Sequence, residues 1–195
     1  MIFCNLKMLL SARNLRISRV ANDTGISRTT LTSLSQNDLK GVQLTTLDTL
    51  CQYLEIDPKQ FFEYHPFTFY YNVDVDWANN KSANEDSWTF SYDASVFLNV
   101  FEKGVKTAVI EFAGTLETTP SLGYHPDDPD NNMVSYSLNL DIVNEENYSK
   151  YLNQLSTYAK TLIIDQRIKP MVDTVVANHY PDLWLPDGNI VNIKL

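Results

Sequence analysis

The sequence predicts two domains: an all-α unit of five short helices over residues 1–65, and an α+β unit with an antiparallel sheet over residues 66–195. Three observations predict it. Apolar residues in the first third recur at helical spacing between clear stop and start signals. At His65-Pro66 the texture changes to near-alternating, aromatic-rich segments, and later returns to a helical period. The charge divides at the same place. Residues 1–65 hold seven Lys/Arg against six Asp/Glu and the remainder eight against eighteen, so the net charge of −9 conceals a slightly basic head and a strongly acidic body.

In the first unit the helical set runs Ile2, Phe3, Leu6, Leu9, Leu10, then Val20 and Ala21, then Leu31 and Leu34, then Leu44, Leu47, Leu50, Cys51 and Leu54. Gly25 suits the left-handed residue that ends one helix, and Ser27 the N-cap that opens the next. Thr45 or Thr46 fits as the cap of the fourth helix. Asp57-Pro58 is a cap followed by proline at the first helical position, opening a short last helix through Phe61 and Phe62.

In the second unit FTFYYNVDVDW (67–77) and SWTFSYDASVFLNVF (87–101) read as strands. Lys103-Gly104 then forms the apex of a hairpin into VKTAVIEFAGTLE (105–117), and MVSYSLNLDIV (133–143) alternates as a fourth strand. NEENYSKYLNQLSTYAKTL and IDQRIKPMVDTVVANHY have helical period, with Pro170 marking a start or a kink. PDLWLPDGNIVNIKL at the end is extended. The expectation is a sheet of about four strands covered by helices.

Several function classes are disfavoured. The apolar runs fall well short of the roughly 20 residues that cross a bilayer, and the N-terminus has no basic start, an interrupting Lys7 and no small-residue cleavage site. The expectation is therefore a cytoplasmic protein without membrane contact. Cys4 and Cys51 fall at apolar positions, as free buried thiols do in a reducing compartment. His65, His125 and His179 are isolated from one another. HPDDPDNN lacks the glycine and the final glutamate of a calcium loop and reads as a solvated acidic loop. Glu111, Glu117 and Asp141 lie on strands, where facing solvent is the default. No phosphate cradle or nucleophile setting occurs, so no catalysis, metal or cofactor is expected. The surplus of Phe, Tyr and Trp on the strands leaves a dimer interface, a peptide groove and a ligand pocket all open.

One stretch asks for a different explanation. TGISRTTLTSL (24–34) carries hydroxyls, one arginine and two leucines, which suits neither a core helix nor a merely solvated one. With helix two over about 17–24, Ile26 plugging the turn and a further helix over about 28–36, Val20, Ala21, Leu31 and Leu34 face inward. Arg28, Thr29, Thr32 and Ser33 face outward, with Ser27 and Thr30 at the helix N-terminus. Arginine can pair with guanine O6 and N7, threonine can bond bases or phosphates, and a helix N-terminus attracts phosphate. LRISRVANDTGISRTTLTSL with LTTLDTLCQYLEIDPKQFF resembles the Cro/CI-type (XRE-like) helix-turn-helix of phage and bacterial repressors over residues 1–64. The resemblance implies base-reading positions at Arg28, Thr29 and Ser33, and positions nearer the backbone at Ser27, Thr30 and Thr32. At the start of helix two, where relatives carry a polar cap or glutamine, this chain has Arg16 and Ile17; Arg16 and Arg19 replace that phosphate contact electrostatically. Lys40 either touches phosphate or is solvated.

The helix IKPMVDTVVANHY running into PDLWLP is similar to the terminal helix and following segment of the SecB chaperone, through Tyr180, Pro181, Leu183 and Leu185. That resemblance implies an oligomerising sheet and a surface for extended peptides. The expected function is a sequence-specific DNA-binding regulator, a repressor of phage or mobile-element type. It binds double-stranded DNA as a dimer, and its acidic domain dimerises it and senses a ligand. The alternative is an antitoxin- or chaperone-like protein whose second domain holds a protein or peptide partner while the first autoregulates expression.

Overall fold

The computed structural model describes residues 1–38, 41–84, 88–121 and 132–193, with side chains described outside 82–84. The chain divides into two compact units, Met1–Pro66 and Phe67–Leu195.

The first unit runs β1 (Ile2–Cys4), α1 (Leu6–Ala12), α2 (Ile17–Thr24), α3 (Arg28–Ser35), α4 (Leu44–Leu54), α5 (Pro58–Phe61) and β2 (Phe62–Tyr64). Its core is aliphatic around one aromatic: Leu6, Val20, Leu31, Leu34, Leu50 and Phe61 are fully buried, and Leu9, Leu10 and Leu54 nearly so. The helix ends follow local chemistry. Glu55, in the left-handed region at φ 55°, ends α4, and Asp57 and Gln60 close a capping box over Pro58 that starts α5. Two expectations are corrected. The fourth helix begins at Leu44 with Gln43 as its N-cap, so the cap lies two or three residues before the expected Thr45 or Thr46.

Nor is the unit all-α. β1 pairs antiparallel with β2, Ile2 opposite Tyr64 and Cys4 opposite Phe62, so Ile2, Phe3 and Phe62 belong to strands. The pairing rests on partners about sixty residues apart. The His65 N–H donates to the Met1 carbonyl (2.9 Å), the Met1 amino group donates to the His65 carbonyl, and the Asn5 N–H donates to the Phe61 carbonyl (2.9 Å). Local periodicity cannot see such contacts.

The second unit runs β3 (Phe67–Asn84), β4 (Thr89–Glu102), β5 (Val105–Ser121), β6 (Met133–Ile142), α6 (Glu145–Asn147), α7 (Thr157–Ile163), α8 (Lys169–His179) and β7 (Ile190–Ile193), with π-helical turns at Tyr148–Leu152 and Ile164–Ile168. Strands β3 to β6 form an antiparallel meander in chain order. At its apex Lys103 (φ 50°) and Gly104 (φ 81°) are both left-handed, the geometry of a two-residue hairpin turn. Here too the expectation needs correction: the sheet is mixed. β7 forms a fifth strand parallel to β6, with Leu138 opposite Val191, because the chain returns to that edge only after crossing over through the helices. The buried Asn189 carboxamide oxygen accepts the Tyr136 N–H (2.8 Å) and fixes its arrival. Pro170 sits in the first turn of α8 directly after a π-helical turn, where its missing N–H costs little.

One sheet face carries the core. Val96, Val100, Ile110, Phe112, Leu116, Val134 and Leu138 are fully buried, and the helices meet them with Tyr151, Leu152, Ala159, Ile168, Val172 and Val176. No helix among the described residues is long and apolar enough to cross a membrane. The HPDDPDNN loop and His125 lie outside the described residues, apart from Asn132.

Candidate nucleic-acid interface

The turn between α2 and α3 is held by hydroxyls and one glycine. Gly25 takes φ 73° and its N–H donates back to the Ala21 carbonyl (3.0 Å), ending α2. The Thr24 hydroxyl donates to the Val20 carbonyl (2.6 Å) and accepts the Ile26 N–H (3.3 Å). Ile26 packs half-buried against the core. Ser27 then caps α3. Its Oγ accepts the Thr30 N–H (3.1 Å) and lies 2.8 Å from the Thr30 hydroxyl.

Leu31 and Leu34, both at 0 % exposure, and the buried Ser35 fix which way α3 faces. At 3.6 residues per turn, Thr29, Ser33 and Gln36 form the stripe opposite them, and Arg28 and Thr32 stand together on one flank. Arg28, Thr29 and Gln36 are exposed; Thr32 and Ser33 are half-buried. The structure thus brings Arg28, Thr29, Thr32 and Ser33 to one surface, and spends part of the hydrogen-bonding capacity of Ser27 and Thr30 on the cap. Gln36 was missed from sequence. It follows the last apolar residue of the helix, and only its spacing of seven from Thr29 signals it.

Helices α2 and α4 start without a side-chain cap. Neither Arg16, N-cap of α2, nor Gln43, N-cap of α4, makes a side-chain capping bond, so both N-termini keep backbone N–H groups for an outside acceptor. Arg16 and Arg19 are exposed beside the first. Arg19 also pairs loosely with Asp23 (3.5 Å), whose carboxylate accepts the Tyr53 hydroxyl (2.6 Å) and so ties α2 to α4. That bond, the largest cause, raises the Tyr53 pKa. Beside the second, a groove of about 370 Å³ runs between α3 and α4, lined by Thr29, Thr30, Ser33, Gly41, Gln43 and Thr46 among others. Lys40 lies outside the described residues.

The remaining reactive groups have structural settings. Cys4 and Cys51 are buried free thiols, and burial pushes the Cys4 pKa up to about 11. His65 is buried with its Nε2 2.7 Å from a Glu63 carboxylate oxygen, and His179 stacks on Trp77.

Residues 5–66 match the Cro/C1-type helix-turn-helix DNA-binding domain family. Over 63 residues the chain is 29 % identical to the uncharacterized HTH-type transcriptional regulator YozG of Bacillus subtilis (strain 168), a stretch covering 32 % of this chain and 75 % of that protein. No solved structure matches the chain significantly. Residues 5–66 are a helix-turn-helix DNA-binding domain of the Cro/C1 type.

Proposed function

We propose that this chain is a sequence-specific transcriptional regulator, a repressor of phage or mobile-element type, whose α3 reads the major groove. The observation that carries the reading is the surface of α3, with Arg28, Thr29, Ser33 and Gln36 presented beside the uncapped N-terminus of α4. Arg28 takes a guanine through O6 and N7, and Gln36 suits an adenine. Thr29 and Ser33 touch base edges, and Thr32 touches base or backbone from the flank. Ser27 and Thr30 meet phosphate through the end of α3, and Arg16 and Arg19 do so beside α2; Lys40 serves the same backbone. The relative's name, a transcriptional regulator, agrees with this reading. The acidic second unit dimerises the protein and senses an effector.

The test is selection from a randomised duplex library followed by a salt titration. Enrichment of a near-palindrome whose affinity falls steeply with salt supports the reading, and absence of enrichment overturns it.

A second reading makes the chain an antitoxin- or chaperone-type interaction protein that autoregulates through the same helix-turn-helix. The observation favouring it is the SecB-like segment after α8. There the Tyr180 hydroxyl lies 2.9 Å from that of Thr118, and Trp184 bonds to Asn132 and Val134 along the sheet (each 2.9 Å). Co-purification of a peptide or toxin with the full chain separates this reading from the first.

A further inference from the structure

Alternate residues of a strand share one face, and directly paired residues of neighbouring strands share it too. In the β1–β2 ribbon Ile2 opposes Tyr64 and Cys4 opposes Phe62, so these four stand on one face while Phe3 and Glu63 stand on the other. The first of these faces does not close against the helices. Between it and the end of α3 lies a cavity of about 410 Å³, walled on the helix side by Leu34 and Asn37 and, where the chain enters α4, by Gly41 and Val42. Cys4 and Leu34 are buried in its walls, whereas Ile2 (65 % exposed) and Tyr64 (68 % exposed) stand at its mouth.

None of the described residues that line this cavity carries a charge. An ion entering it would lose hydration and gain no counter-charge, which leaves neutral molecules as the class it can take. Burial pushes the Cys4 thiol up to about 11, as suits a wall that water reaches poorly. The volume falls within the roughly 300–1,000 Å³ of small-molecule sites. At interior packing density it holds up to roughly 15–20 non-hydrogen atoms. A second copy of the chain fits less well. A stable pair needs about 800 Å² from each partner, and Ile2 and Tyr64 are the exposed large apolar side chains that this face offers among the described residues.

We infer that this cavity binds a neutral, largely apolar small molecule with a flat ring, and that its occupancy acts on α3. The rings of Phe62 and Tyr64 offer faces and edges for such a ligand to stack on. Leu34, Gly41 and Val42 also line the groove bordered by Thr29, Thr30 and Ser33, so they form the partition between the cavity and the base-reading side of α3. A ligand pressing on that partition bears on how α3 sits against the start of α4. Asn37 makes a second connection, because its carboxamide holds the Cys4 N–H and carbonyl and so joins the end of α3 to the ribbon wall. The consequence for regulation rests on the proposed DNA reading; the site itself does not.

The experiment titrates the full chain with N-phenyl-1-naphthylamine, an uncharged fluorophore whose emission rises in apolar surroundings. Two variants each replace two exposed apolar side chains: I2S/Y64S at the mouth of the cavity, and Y70S/W88S on the second unit. The expected result is saturable binding that weakens at least about tenfold in I2S/Y64S and less than about twofold in Y70S/W88S. Bound dye should also slow amide exchange in residues 1–5, 28–37 and 60–65 and leave the second unit unchanged. No saturable binding by the parent, equal weakening in the two variants, or slowed exchange only outside those segments overturns the inference. So does a parent that is dimeric by light scattering, becomes monomeric in I2S/Y64S and does not take up the dye, since a second copy then covers this face. If I2S/Y64S lowers the thermal midpoint, the exchange pattern of the parent decides. No readout uses DNA, so failure of the site and failure of the DNA reading are told apart.

Discussion

The Ser27 hydroxyl is engaged by the backbone and side chain of Thr30, whereas the Arg28 guanidinium stands exposed, and these neighbours should respond differently to removal. Ser27→Ala deletes the cap of α3 and is expected to cost about 0.5–2 kcal/mol of stability. Because the cap orders the whole helix, affinity should fall evenly across DNA sequences. Arg28→Ala should leave thermal stability unchanged, cost about 1–3 kcal/mol on the preferred site and relax preference at one base pair. Library selection on both variants, with urea unfolding in parallel, checks the contrast. If Arg28→Ala keeps the parental preference, the assignment of that side chain fails. Asn37 links the same helix to the β-ribbon. Its carboxamide accepts the Cys4 N–H and donates to the Cys4 carbonyl (2.9 Å), so the chain leaving α3 is tied to β1.

At the scale of elements, β5 and β6 approach so closely that only glycine fits at position 114. A Cβ there would stand 2.0 Å from the Asn139 carbonyl oxygen and 3.1 Å from Leu140 Cα, both backbone atoms that cannot rotate aside. Gly114→Ala should therefore destabilise by at least about 1–3 kcal/mol, lowering the urea midpoint, while Gly188→Ala, which meets nothing within 4 Å, should not. The contact between α8 and β3 carries a pH signature. His179 stacks on Trp77 at 3.8 Å and 5°, and the partial desolvation of this otherwise exposed side chain lowers its pKa below the ordinary 6.5. The unfolded chain then binds the proton more readily than the folded one. This contribution to stability is complete above pH 6.5 and is lost as pH falls below it, until the folded group also titrates. H179F should flatten that part of the stability–pH curve. Legibility in the sequence follows the same division between near and far. Gly25, Ser27 and Asp57-Pro58 mark helix ends through bonds spanning a few residues, so α2, α3 and α5 could be placed in advance, and with them the outward positions of Arg28 and Thr29. The β1–β2 ribbon depends on Met1 reaching His65, and the parallel direction of β7 on a crossover through three helices. Neither leaves a local trace.

For the molecule as a whole, charge sets the terms of DNA binding. The first unit carries one net positive charge, too little to hold a duplex firmly alone, and it is joined to a body that phosphate repels. Two copies acting together would double the phosphate contacts and the base-reading surface, and a two-fold pair reads half-sites about 10–10.5 base pairs apart, centre to centre. The proposed dimer therefore makes a geometric prediction. An enriched operator should be a near-palindrome that binds two chains per duplex, and isolated half-sites should bind far more weakly. Inserting about five base pairs between half-sites turns the second onto the opposite side of the helix and should abolish the gain, whereas inserting about ten should restore part of it. The logarithm of affinity should fall linearly with the logarithm of salt, by about 0.9 for each phosphate neutralised, and the slope for the full operator should approach twice that of a half-site. Fluorescence titrations on the four duplexes at several salt concentrations measure all of this. A half-site bound as tightly as the full operator, with one chain per duplex and the same slope, would mean that the acidic unit does not pair the helix-turn-helix domains on DNA.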